Sequence, residues 1–226
     1  MRLFWLLLIT FFSVTFAHAQ LNISLKRELD SMYVLDQKYR KLLSLIRTPK
    51  ADSLAEAYQV KKEALTDYLW KLQEEVDSSN LVRVEKIIAQ YGYPGRSIVG
   101  TPTNSAVFYV IQHSKVIDTY LPLVKNAAET DEIQFVLYAM MLDRSLMYNQ
   151  KEQIYGTQGS GFPVINPQTG KKEFKMIIWP IKDPETVNER RKNAGFADTV
   201  EENAKRMRID YKVYTLEDVQ KMKAPK

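Results

Sequence analysis

From Ser24 to Arg47 apolar residues return every three or four positions: Leu25, Leu29, Met32, Leu35, Tyr39, Leu42, Leu43 and Ile46. That is the period of one helical face, with Leu35 or Asp36 completing the stripe. Thr48-Pro49 ends it, because the residue before proline is driven toward extended backbone. A second stripe, Leu54, Ala57, Tyr58, Leu65, Leu69 and Leu72, predicts a helix over about 51–77 and an antiparallel hairpin with the first. Ser78-Ser79-Asn80 reads as a break that supplies an N-cap. A third helix over 81–91 ends at Gly92, where a left-handed cap residue belongs.

After Gly92 the pattern shortens. Tyr93-Pro94-Gly95-Arg96 and Gly100-Thr101-Pro102 are turn signals. The apolar run from Asn104 to Ser114 fits a buried helix or a buried strand, and Asn104 as N-cap favours helix. Pro122 suits the first turn of another short helix. Asp131 to Asn149 is apolar on nearly every side, as a helix at the centre of a bundle must be. From Gln153 to Ile181 glycines and prolines punctuate short β-like runs, with a turn at 166–170 and a strand at 174–179. Asp183-Pro184-Glu185 opens a helix that closes at Gly195. Thr199-Val-Glu-Glu202 is a capping box. Tyr211–Tyr214 suits a short strand, and Thr215 caps a last helix. The expected fold is mainly α: a helical bundle with a small β-hairpin insert near residues 153–181. We expect one domain over 20–226, with a helical hairpin at 24–77, a core at 80–195 and C-terminal helices at 198–226.

Residues 1–19 read as a secretory signal peptide: Arg2, an apolar stretch from Leu3 to Phe16, and Ala17-His18-Ala19 as a small-x-small cleavage site. Cleavage makes Gln20 the N-terminus and the protein exported, periplasmic or extracellular. No later stretch is apolar enough to span a membrane. The chain has 45% hydrophobic and 26% charged residues, which excludes general disorder. Its net charge of +5 is spread among acids, as in Glu201-Glu202-Lys205-Arg206, so no nucleic-acid groove is expected. The absence of Cys removes disulfides, thiolate nucleophiles and thiolate metal sites. With one His after cleavage and no acidic calcium loop, neither a metal nor a cofactor is expected.

A few polar residues stand out against this background. His113 follows six apolar residues, which places a natural general base at the edge of the core. Asp143 and Arg144 sit near the end of the most apolar helix and point about 100° apart. Buried charges must find partners, and His113, Gln112, Tyr155 and Gln158 are the candidates. One arrangement is an Asp143–His113 dyad; another is a structural network locking the β insert onto the bundle. Arg190 and Arg191 can bind an anion or face solvent. Gly156-Thr-Gln-Gly-Ser-Gly161 is not a phosphate loop, because Phe162 stands where lysine is needed.

Tyr91-Gly-Tyr-Pro-Gly95, Gln112-His113, Asp143-Arg144, Tyr155-Gly-Thr-Gln158, Pro180-Ile181 and Arg190-Arg191 occur in that order. This ordered string resembles a family of bacterial proteins catalogued as a domain of unknown function. Glu28-Leu-Asp30 and Asp36-Gln-Lys-Tyr-Arg40 look like its exported members. The resemblance implies membership and transfers no chemistry. Two functional expectations follow from the residues. One is a binding or interaction module, with a polar pocket of Gln112, His113, Asp143, Arg144, Tyr155 and Gln158 and Arg190 and Arg191 nearby, taking a small polar ligand or a protein partner. The other is a cofactor-free hydrolase or lyase, with His113 as base, Asp143 orienting it and Arg144 stabilising negative charge.

Overall fold

The computed structural model describes residues 20–166 and 168–223. The expected signal peptide lies outside them. The described residues form ten α-helices and a two-stranded antiparallel hairpin, a mainly α fold. None of these helices is long and apolar enough to cross a membrane.

Helix α1 (Ile23–Leu43) begins where Asn22 Oδ1 accepts from the Leu25 N–H. It runs antiparallel to α3 (Leu65–Tyr91), with Glu28 beside Arg83, Met32 beside Asn80 and Arg40 beside Asp77. The helix expected over 51–77 is in fact two. Helix α2 (Lys50–Ala57) stops, Gln59 takes a left-handed φ of 54°, and a 3₁₀ turn at Lys62–Ala64 leads into α3. The reversal lets Ala51 and Ala55 pack on Leu65 and Leu69, a burial that one straight helix cannot make. The expected break at Ser78-Ser79-Asn80 is absent and α3 runs through it. Asn80 is buried and donates across the interface to the Met32 carbonyl, so its amide does not cap. Gly92 ends α3 as expected, at φ 69°.

Short helix α4 (Arg96–Val99) and a 3₁₀ turn at Thr103–Ser105 lead into α5 (Ala106–Ile111). The 104–114 run is therefore helical, but Asn104 does not cap it. Asn104 Nδ2 donates to the Glu132 carbonyl and ties this turn to the start of α7 (Phe135–Tyr148). Pro122 lies inside α6 (Ile117–Glu129), not in its first turn, because buried Ile117 draws an earlier turn into the core. Helices α6 and α7 are antiparallel, with Asp118 bonded to Ser145 and Asn149. Leu29, Met32, Val84, Phe108, Ile111, Val124 and Met141 form the centre of the main core.

Strands β1 (Gly159–Ile165) and β2 (Lys172–Ile178) pair with Gly159 opposite Ile178 and Ile165 opposite Lys172. Phe162 and Ile177 on the inner face pack with Trp179 and with Val219 of α10 (Leu216–Met222). Helices α8 (Val187–Asn193) and α9 (Val200–Arg206) complete the chain. Both capping boxes, at Thr199 and Thr215, are made. Asp183 does not cap α8. Its φ is 44°, and a 3₁₀ turn at Pro184–Thr186 intervenes. Tyr211–Tyr214 is not in a strand; Tyr214 and Tyr211 instead pack their rings against two small cores.

Candidate functional site

Between α7 and β1, residues 153–158 are irregular and partly to fully buried, so their backbone groups need partners. Side chains supply them. Asp143, fully buried inside α7, accepts through Oδ1 from the Ile154 and Tyr155 N–H groups at 2.7 and 3.0 Å. Its Oδ2 accepts from the Thr157 N–H at 2.9 Å. The carbonyls face other donors. Arg190 Nε donates to Ile154 O at 3.0 Å and Arg191 Nη1 to Tyr155 O at 2.8 Å. Asn203 Nδ2 donates to Gly156 O at 2.9 Å. The buried Gln153 amide accepts from the Gln158 N–H at 2.9 Å and donates to Gln158 O at 3.0 Å. Position 156 admits only glycine, since φ is +67° and a Cβ would meet Val200 Cγ2 at 2.6 Å and Ile181 Cδ1 at 2.7 Å. Burial holds the Asp143 carboxyl above the usual carboxylate range, and the surrounding N–H donors reverse only part of that rise.

One residue on, Arg144 leaves α7 in a different direction. Its Nε donates to Gln158 Oε1, and its Nη1 to the Gln112 carbonyl and to His113 Nδ1, each at 3.2 Å. Gln112 is the cap residue of α5 and His113 lies in the turn after it. A guanidinium can only donate. His113 Nδ1 is therefore the ring's lone-pair nitrogen, and Nε2 carries the proton. Burial first, then the charges of Arg40 and Arg144, lower the His113 pKa to about 3. The imidazole is neutral at neutral pH.

Among the described residues, no carboxylate lies within 4.0 Å of the Arg144 guanidinium. Arg144 Nη2, His113 Nε2 and the Gln112 side-chain amide make no hydrogen bond to any described residue, and none of them is sealed from solvent. Gln112 is otherwise 5% exposed.

The eight residues singled out by sequence therefore fall into two groups. Asp143, Arg190, Arg191 and the Tyr155 backbone belong to the clasp around 153–158. Arg191 is 1% exposed, ion-pairs with Asp198 and stacks over Phe196 at 4.4 Å. Arg190 also donates to Thr186 Oγ1 and to the Lys182 and Asp183 carbonyls. The Tyr155 ring lies 5.9 Å from that of Phe196. Gln112, His113 and Arg144 form the second, solvent-reachable group, and Gln158 joins the two. The expected Asp143–His113 hydrogen bond is not made. Backbone N–H groups occupy the carboxylate, and Arg144 holds the imidazole.

Sequence reasoning passed over a polar seam beside this second group. Asp36 is fully buried, 3.6 Å from Arg40, which bonds to both Asp77 oxygens at 2.6 and 2.7 Å. Burial pushes the Asp36 carboxyl up, while Arg40 pulls it down. The available signal was an acid and an arginine four apart where the α1 stripe calls for apolar residues. Cavities among the described residues lie elsewhere: about 350 Å³ beside Glu28, Arg83 and Tyr91, about 210 Å³ beside Tyr39, Val76 and Asn80, and about 190 Å³ beside Tyr33, Pro102 and Tyr109. Among the described residues no three His, Asp or Glu side chains converge as a metal site would require.

Two predictions separate the groups. Asp143→Asn should lower unfolding stability in urea by about 2–4 kcal/mol, since it turns a neutral amide toward buried N–H donors. His113→Gln should cost about 1 kcal/mol, less than the Asp143 loss, because His113 makes no hydrogen bond to Asp143. Stability should also depend on His113 in acid. The unfolded imidazole protonates near pH 6.5, the folded one only near 3. Its contribution is thus constant above about pH 6.5 and is lost as pH falls toward 3, by at most about 1.4 kcal/mol per pH unit. Urea melts from pH 7 to 4 should show a shallower loss in His113→Gln than in the native chain.

No curated protein and no solved structure matches the chain. A family model matches residues 63–217, from the turn before α3 to the start of α10, and so takes in the clasp and the Gln112–His113–Arg144 group but not Asp36 or Arg40. Covering well over half of the sequence, that match places the chain in the Family of unknown function (DUF6624).

Proposed function

We propose that this is an exported protein that binds a small polar ligand through Gln112, His113 and Arg144. The observation that carries the reading is the contrast between the two polar groups. In the clasp every polar partner is another part of the protein. At Gln112, His113 and Arg144, three adjacent residues keep polar atoms that no described residue satisfies and that solvent reaches. Buried polar side chains are ordinarily paired, so a nearly buried glutamine with a free amide suits an external partner. The pattern of residues 1–19 supports export.

The geometry favours binding over base catalysis. The only lone pair of the neutral His113 ring accepts from Arg144, and the nitrogen open to solvent already carries a proton. A base with a pKa of about 3 is also far from the range suited to proton abstraction at neutral pH.

Thermal melts against a panel of small polar metabolites test the proposal. A ligand at 100 times its Kd should raise Tm by about 5–10 °C. The shift should disappear in Arg144→Gln and shrink in Gln112→Leu. A shift that persists in both variants would place the ligand elsewhere.

A further inference from the structure

We infer that the ligand held at Gln112, His113 and Arg144 is an oxyanion, a carboxylate or a phosphate group, gripped by a set of N–H donors around an arginine that has no acid of its own. This rests on the ligand-binding reading above and specifies its chemistry.

The unpartnered atoms are donors almost throughout. Arg144 Nη2 presents two N–H groups. His113 Nε2 also carries an N–H, because Arg144 fixes the tautomer by donating to Nδ1, but that N–H lies across the ring and faces away from Arg144, so His113 anchors the guanidinium and does not add a donor beside it. The Gln112 amide adds two more. The one acceptor in the set is Gln112 Oε1. A ligand that satisfies these groups brings oxygen acceptors, and charge selects among acceptors. The Arg144 guanidinium donates to Gln158 Oε1, the Gln112 carbonyl and the imidazole, with Tyr148 also beside it, and among the described residues no carboxylate lies within 4.0 Å of it. The carboxylates on each side are already engaged. Asp143 is enclosed by backbone N–H groups, and Asp77 holds Arg40 in a two-oxygen pair with Asp36 behind it. The Tyr148 side chain, one helical turn beyond Arg144, stands beside the guanidinium as a further hydrogen-bonding group. Burial is the main cause of the depressed basicity of His113, with Arg40 and Arg144 adding to it. Anions gain both the hydrogen bonds and the charge of Arg144, while neutral ligands gain only the bonds.

The test uses the full chain and the NMR signals of His113, identified by their loss in His113→Gln. Inorganic phosphate, malonate and neutral acetamide are titrated separately at pH 7 and constant ionic strength. Saturable movement with phosphate or malonate, but not acetamide, is expected, and comparing the two anions shows which oxyanion geometry fits. Arg144→Gln should weaken that binding about 10-fold or more, the range for a lost charged hydrogen bond. Arg144→Lys, which keeps the charge and loses the planar fork, should fall between. Saturable binding of acetamide alone, lost in Arg144→Gln, would overturn the oxyanion inference and leave the binding proposal intact. No saturable movement with any probe would overturn both.

Discussion

A buried stretch of irregular backbone cannot be left with unpaired N–H and C=O groups, and residues 153–158 are such a stretch. Asp143 meets this constraint from inside α7. Its carboxylate takes the N–H groups of Ile154, Tyr155 and Thr157, and such charge-assisted bonds are worth about 1.5–3 kcal/mol each. Those bonds offset the cost of burying the charge. Arg190, Arg191 and Asn203 take the carbonyls on the other side. One loop thereby fixes α7 against α8 and α9. Because Gln158 leads directly into β1, the loop also sets where the hairpin starts.

The 100° step between consecutive helical residues gives α7 a second role. Asp143 faces the clasp, and Arg144 faces the turn after α5. Gln158 connects the two, since its N–H closes on Gln153 while its Oε1 accepts from Arg144. The arginine is thus positioned by the clasp without being consumed by it. Placing one guanidinium edge against fixed acceptors orients the free edge, which is the requirement for a preorganised binding group.

Much of the architecture was legible because it depends on local rules. The α1 stripe, the glycine at the end of α3, the turn at 166–170 and the capping boxes at Thr199 and Thr215 all follow from spacing and short-range chemistry. The misread elements are those where a distant contact decides. The apolar stripe over 51–77 is compatible with one helix, and only the packing of Ala51 and Ala55 on Leu65 and Leu69 requires two. Asn80 and Asn104 have the composition of caps, but each donates to a carbonyl far along the chain. The candidate site shows the same division. That polar residues near the end of an apolar helix would need partners was readable from the sequence. That the partners of Asp143 would be backbone N–H groups was not, because sequence displays side chains and hides the needs of the main chain. The Asp36–Arg40–Asp77 seam was missed for a related reason: Asp36 falls on the apolar stripe of α1, but its pairing with Arg40 and Asp77 is set only when α1 packs against α3.

The central claim is that the Asp143 carboxylate holds the 153–158 backbone in place. Amide hydrogen exchange at Ile154, Tyr155 and Thr157 measures this directly. In the native chain all three amides should exchange only through large-scale unfolding, as protected amides of a core do. In Asp143→Asn, at conditions where the variant remains folded, the same three should become fast while the centre of α3 stays protected. Rapid exchange of these amides in the native chain, or unchanged protection in Asp143→Asn, would contradict the account.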